Sequence, residues 1–174
     1  MKKIDIIGND SLIKAFSKYQ IALCIVFGGV FFVMVKMSDT IDIFDSMLAN
    51  IFIGIGLFIG TFIVHELIHA LFFKLFSPLN KVNFGMANGM IYCAIPGGSF
   101  TPLTFAISAI APFVIITSTF IITFCMGILP KVFFLSFATM HTMSCVGDFY
   151  WVIKMIQTPK HSKIETTDSG IVIS

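Results

Sequence analysis

Polar positions are so sparse along this chain that they divide it. Four mostly apolar stretches, 19–35, 48–73, 102–129 and 132–156, are separated by short polar segments. A bilayer core about 30 Å thick takes roughly 20 apolar residues in a helix, so each stretch predicts a membrane-spanning helix. Lys36 and Lys74 close the first two. The segment "KMSDTIDIFDSM", 36–47, reads as a short acidic loop, and "GILPK" as a tight turn between the third and fourth spans. Residues 81–101, "KVNFGMANGMIYCAIPGGSFT", are too polar and glycine-rich to cross. Asn88-Gly89, flanked there by strand formers, is a type I′ hairpin signal. The pattern predicts a β-hairpin and then a Pro-Gly-Gly turn, with an irregular loop as the plain alternative.

Composition strengthens the membrane reading. Hydrophobic residues make up 57% of the chain and charged ones 11%, against about 25% charged in a soluble domain. All eleven basic residues are Lys, which together with abundant Ile and Phe hints at an AT-rich, bacterial genome. Their distribution sets an orientation. With four spans, the N-terminus, the 74–101 loop and the tail share one side, which carries nine lysines; Lys36 and Lys131 stand on the other, beside Asp39, Asp42 and Asp45. By the positive-inside rule both termini are expected in the cytoplasm, in a multi-pass protein of the cell membrane. The fold class expected is all-α membrane: a four-span transmembrane helix bundle with a small cytoplasmic-side β-hairpin between spans two and three, 1–174 being a single domain.

Other classes fall away. The lysines are scattered in short loops, which argues against nucleic acid as a partner. Cys24, Cys93, Cys125 and Cys145 have no C-x-x-C spacing, so neither a disulfide framework nor a cysteine zinc site is supported. No small-residue cleavage site follows the first apolar run, and no cleavable signal peptide is expected.

Against this apolar background "TFIVHELIHALFF", 61–73, places two of four His and one of two Glu within five residues. His65-Glu66-Leu67-Ile68-His69 is the pattern H-E-x-x-H. Positions i and i+4 of a helix face the same way, so both imidazoles can reach one ion, and Glu66 can contact a water beside it. The bland reading is a histidine pair hydrogen-bonded between helices, which leaves Glu66 without a purpose. An ionisable group at membrane depth costs roughly 3 kcal/mol on insertion scales and marks function by default.

Catalytic zinc takes three protein ligands and an open position. Asp148, His141 and Glu165 are the candidates for the third, and depth separates them. His65 and His69 lie nine and five residues before Lys74, and Asp148 six before Lys154. At about 1.5 Å per residue these share one level, whereas His141, thirteen before Lys154, lies roughly 6 Å deeper. Glu165 falls beyond the membrane. Asp148 is thus the expected third ligand, with an Asp facing a small aqueous cavity as the alternative. Gly147 beside it predicts close helix approach. His141 reads as a satisfied polar residue between helices, or a group behind the ligands. Gly56-x-x-x-Gly60, with Gly54, reads as a smooth surface for helix packing.

From "HELIHALFF", "VNFGMANGMIYCAIPG", "LTFAISAIAPFVI" and "GDFYWVIKMI" with its short tail, the chain resembles a bacterial membrane family labelled "putative zincin peptidase". That family is distantly similar to the site-2 proteases, which cut substrates within the membrane. The likeness spans about 48–172. It implies a zinc ion (Zn2+) on His65, His69 and Asp148, with Glu66 as catalytic base. Site-2 proteases usually carry an Asn and a Pro ahead of the ligand Asp and a Gly after it. Here the run is "TMSCVGDF", 142–149, which leaves the oxyanion-stabilising group unassigned; Ser144, Asn83 and Asn88 are the polar residues at hand.

The expected function is an intramembrane zinc metalloprotease of H-E-x-x-H type, acting on a membrane-protein or peptide substrate near the cytoplasmic leaflet of the lipid bilayer. The alternative is a catalytically inactive zinc-binding membrane scaffold or sensor. A transporter is disfavoured because the spans hold no internal repeat. Iron or cobalt would suit His and carboxylate ligands as well.

Overall fold

The computed structural model describes residues 2–5, 9–87, 90–167 and 170–174. Five helices dominate it: α1 (Asp10–Lys36), α2 (Met47–Phe76), α3 (Pro102–Cys125), α4 (Lys131–Ser144) and α5 (Val146–Ile156). Their ends are written in the local sequence. The Asn9 side chain accepts from the Leu12 N–H, and Ser46 Oγ from the Ala49 N–H, each satisfying an orphan donor of a first turn. Thr101 and Thr104 close a reciprocal capping box ahead of α3, with Pro102 just inside. That helix stops at Gly127, whose φ of 72° favours glycine. The N–H groups of Gly127 and Ile128 return to the carbonyls of Phe124 and Thr123, a Schellman motif.

The start of α4 has no side-chain cap. Its first N–H groups, on Lys131 and Val132, donate instead to the carbonyls of Ile41 and Asp42 at 3.0 and 3.1 Å. The acidic 36–47 segment therefore folds over that helix end, and Asp42 also pairs with Lys131 at 3.1 Å.

Among the described residues three helices are long and apolar enough to cross a membrane: Ser11–Lys36, Met47–Phe76 and Pro102–Cys125. Outward-facing Ile21, Ile25 and Val30 on α1, and Phe52, Ile59 and Leu71 on α2, are exposed. The stretch expected as a fourth span, 132–156, is not one helix. It breaks at Cys145 into pieces of 14 and 11 residues, about 21 and 17 Å long, and neither alone matches a 30 Å core. The break has a local cause. Ser144 Oγ and Cys145 Sγ both donate to the His141 carbonyl, at 2.8 and 3.2 Å, and the Cys145 backbone leaves helical geometry at ψ 12°.

α3 is central, flanked by α2, α4 and α5, while α1 lies on α4 and α5. Gly28 of α1 meets Thr139 of α4, where an added Cβ would stand 3.3 Å from Thr139 Cγ2. One aromatic core joins Phe31, Phe120, Phe124, Phe133 and Phe134, with the rings of Phe124 and Phe134 stacked at 4.1 Å. A second joins Phe73, Ile95, Phe100, Phe105, Met155, Ile164 and Ile171. The expected packing role of the other glycines is not met. Only Gly54 of the α2 stripe touches a side chain, Phe133, whereas Gly56, Gly60 and Gly147 face open space among the described residues.

The hairpin is present as β2 (Asn83–Ala87) and β3 (Met90–Ala94), paired antiparallel. Gly85 faces Tyr92 across it, and an added Cβ at Gly85 would overlap the Tyr92 ring. The turn residues Asn88 and Gly89 lie outside the described residues. A second sheet was not expected from sequence. It runs β1 (Lys2–Asp5), β6 (Gly170–Ile173), β5 (Ile164–Thr166), β4 (Ser99–Phe100), antiparallel throughout. Thr166 Oγ1, buried, donates to the carbonyls of Ile95 and Gly98. The N-terminal strand, the 99–100 strand and the tail are thus gathered in one sheet.

Candidate metal centre

Four helices supply this site. α2 contributes His65, Glu66 and His69, α3 the Ser108 carbonyl, α4 His141, and α5 Asp148. Because i and i+4 share a helix face, the two α2 imidazoles stand together, their Nε2 atoms 3.2 Å apart. Asp148 meets both. Its Oδ1 is 3.1 Å from His69 Nε2 and its Oδ2 3.3 Å from His65 Nε2.

These separations carry information. Three N/O donors about 2.0–2.1 Å from one tetrahedral centre are roughly 3.3–3.4 Å apart; here the two imidazole nitrogens are 3.2 Å apart and each lies 3.1–3.3 Å from a different oxygen of Asp148. Asp148 Oδ2, 3.3 Å from His65 Nε2, is buried with no hydrogen-bond partner among the described residues. Glu66 Oε2 is likewise buried with no hydrogen-bond partner among the described residues. A buried acceptor left unpaired costs about 1–3 kcal/mol, more when charged. Two such oxygens beside converging imidazoles fit a cation, and His65, His69 and Asp148 form a group able to hold one.

The outer nitrogens of the two rings are held differently. His69 Nδ1 donates to the Ser108 carbonyl at 2.9 Å. That carbonyl is free because its intrahelical partner would be the N–H of residue 112, which is proline. The mid-helix Pro112 thus exposes an acceptor where His69 needs one. His65 Nδ1 instead faces His141 Nε2 at 3.3 Å. The site lies where the two aromatic cores meet: His69 stacks on Phe73 at 6.0 Å, and His141 lies 6.4 Å from Phe120.

The hairpin borders the same region. β3 packs against α2, and burial together with the Glu66 carboxylate pushes the Cys93 thiol up to about 12.

The sequence-derived residues therefore divide. His65, His69 and Asp148 come together, with Glu66 alongside. Glu165 is exposed on β5 near Lys163 and has no part in the cluster. Ser144 spends its hydroxyl on the His141 carbonyl, Asn83 is exposed on β2, and Asn88 lies outside the described residues. His141 sits against His65, on the nitrogen remote from Asp148. Ser108 and Pro112 were missed; a proline four residues after a small polar residue in an apolar helix was the available signal.

No curated protein and no solved structure matches the chain. A family model described as "Putative zincin peptidase" matches residues 58–163, a region holding the whole His65, His69 and Asp148 group together with Glu66 and the hairpin. The chain belongs to that zincin peptidase family.

Proposed function

We propose that this chain is a zinc metallopeptidase of H-E-x-x-H type that cuts membrane-embedded substrates near the cytoplasmic leaflet, in the manner of the site-2 proteases. The observation that carries the reading is the convergence of His65 Nε2, His69 Nε2 and Asp148 at 3.1–3.3 Å, with a buried, unpartnered Glu66 oxygen beside them. His65, His69 and Asp148 would hold the ion. Bound zinc supplies Lewis acidity, polarising a peptide carbonyl and acidifying water.

The chain's own groups do the rest. Water oxygen bonds to the carbonyl carbon and the C–N bond breaks. Glu66 takes the water proton and delivers it to the departing amine. Ser108 holds the His69 ring through Nδ1, so its Nε2 lone pair stays turned inward.

Topology favours the same reading. α4 and α5 together cover Lys131 to Ile156, about 39 Å if laid end to end, and would complete a fourth crossing with both termini cytoplasmic. The strands gathered in one sheet belong to the side bearing nine lysines. Hydrolysis needs water, and a site near that side is within its reach.

A substrate helix must unwind before cleavage. The two-stranded β2–β3 sheet leaves an unpaired edge on each strand among the described residues, suited to holding an extended chain by β-augmentation. Gly85→Val, which pushes a side chain into Tyr92, should lower cleavage several-fold while zinc content stays unchanged; normal cleavage removes the hairpin from the mechanism.

Membrane proteomics of cells carrying wild type or Glu66→Gln tests the whole. Accumulation of an uncut membrane protein or peptide precursor in the variant is expected. Intact cellular function in Glu66→Gln, with loss in His69→Ala, would instead mark a non-catalytic zinc scaffold.

A further inference from the structure

We propose that His141 is the positioning residue for His65: it accepts the His65 Nδ1–H, is itself held by Thr117, and so keeps the His65 Nε2 lone pair turned toward His69 and Asp148. The inference rests on the zinc reading above and adds a group to it.

The geometry begins with His65. Its Nε2 lies among the other donors, 3.2 Å from His69 Nε2 and 3.3 Å from Asp148 Oδ2. A nitrogen that is to bind a cation carries no proton, so the ring proton belongs on Nδ1. A metal-binding histidine ordinarily donates that proton to a carboxylate, a carbonyl or water. The group found there is the Nε2 of His141, at 3.3 Å. For that nitrogen to accept, the His141 proton must sit on its own Nδ1, where Thr117 Oγ1 stands 3.4 Å away. With His65 Nε2 reserved for the cation, the chain Thr117–His141–His65 has one assignment of protons, running from α3 through α4 to α2.

Burial makes the assignment consequential. His141 is 1% exposed and Thr117 7%. Water cannot replace a lost partner at such a position, so a His65 protonated on Nε2 would require the His141 proton to move to Nε2 and the Thr117 hydroxyl to turn and donate, and it would present a proton to the metal. The two ligand rings are then held by unlike devices: His69 by a backbone carbonyl that Pro112 leaves free, His65 by a side chain that must itself be held.

His65 Nδ1, His141 Nε2 and Cys145 Sγ are also close enough to suggest a second metal site. The thiol argues against it. Cys145 Sγ already donates to the His141 carbonyl at 3.2 Å, and it is farther, 3.7 Å, from the ring nitrogen.

The test uses the purified full chain with zinc as the probe. Stoichiometry is read by elemental analysis, affinity by chelator competition, and ligand geometry by the absorption spectrum of the cobalt-substituted protein. Wild type should hold one zinc per chain. His141→Leu, which keeps bulk and removes the acceptor, should weaken zinc by about 10–100-fold and alter the cobalt spectrum. His141→Gln, which restores an acceptor oxygen, should recover most of the affinity and the wild-type spectrum. Thr117→Val, a change small enough to preserve folding, should give a weaker loss in the same direction.

Zinc binding in His141→Leu equal to wild type overturns the proposal while leaving the zinc centre standing. So does a His141→Gln variant as weak as His141→Leu, since packing alone then explains the residue. Two ions per wild-type chain, one of them lost in Cys145→Ser, would replace positioning by a second site. Absence of zinc from wild type removes the metal reading itself, and the inference with it.

Discussion

α2 and the α4–α5 pair bring comparable chemistry to one point by opposite means. α2 is a single unbroken helix of 30 residues, and its polar groups converge because the helix repeat puts His65 and His69 on one face. α4 and α5 are two short helices joined at Cys145, and they meet the same imidazole from both sides: His141 on Nδ1, Asp148 beside Nε2. Seven residues of straight helix separate two side chains by about 10.5 Å along the axis. The helix is interrupted at Cys145 between them. A regular helix therefore suffices where ligands are neighbours in sequence. Where two candidate site residues come from a second element, that element is interrupted between them.

The sharpest test of this contrast compares two carboxylates. Asp148→Asn on α5 should abolish stoichiometric zinc and all cleavage. Glu66→Gln on α2 should retain zinc and lose cleavage by about 100-fold or more. Zinc content and peptide hydrolysis in detergent check both, and equal zinc loss in the two variants would make Glu66 a ligand rather than a base.

A smaller effect is expected at Pro112. Pro112→Ala gives back the N–H that competes for the Ser108 carbonyl. The His69 hydrogen bond should weaken, and zinc affinity should fall by less than the full 10–100-fold typical of losing such a partner. Unchanged affinity would mean the carbonyl accepts both donors.

The smallest effects are predicted for the glycines that face open space. Gly60→Ala in α2 and Gly147→Ala in α5 meet no neighbouring atom within 4 Å and should stabilise the protein by up to about 1 kcal/mol each through helix propensity. Thermal unfolding in detergent measures this, and a marked destabilisation would reveal a partner packed on that face.

Several features were legible without coordinates, and each is local. H-E-x-x-H names three site groups because helical spacing is a property of five consecutive residues. Asn9, Ser46, Thr101 and Gly127 were not read as helix ends, although they act through bonds to atoms within a few positions. The pairing of Asp148 with the histidines could be anticipated only because a membrane supplies a common depth scale to two helices.

Tertiary structure decided the rest, and the reason is the same throughout: the partners are far apart along the chain. Four short strands from both termini and the 99–100 segment form one sheet only when the helices bring them together. The 132–156 stretch was read as one span, whereas its helix breaks at Cys145, where a hydroxyl and a thiol bond to a single carbonyl. His141 was readable as a polar residue between helices, but which nitrogen of which histidine it faces depends on how α4 packs beside α2. Composition and periodicity determine that a residue is buried and on which face; the packing of separate helices determines what it touches.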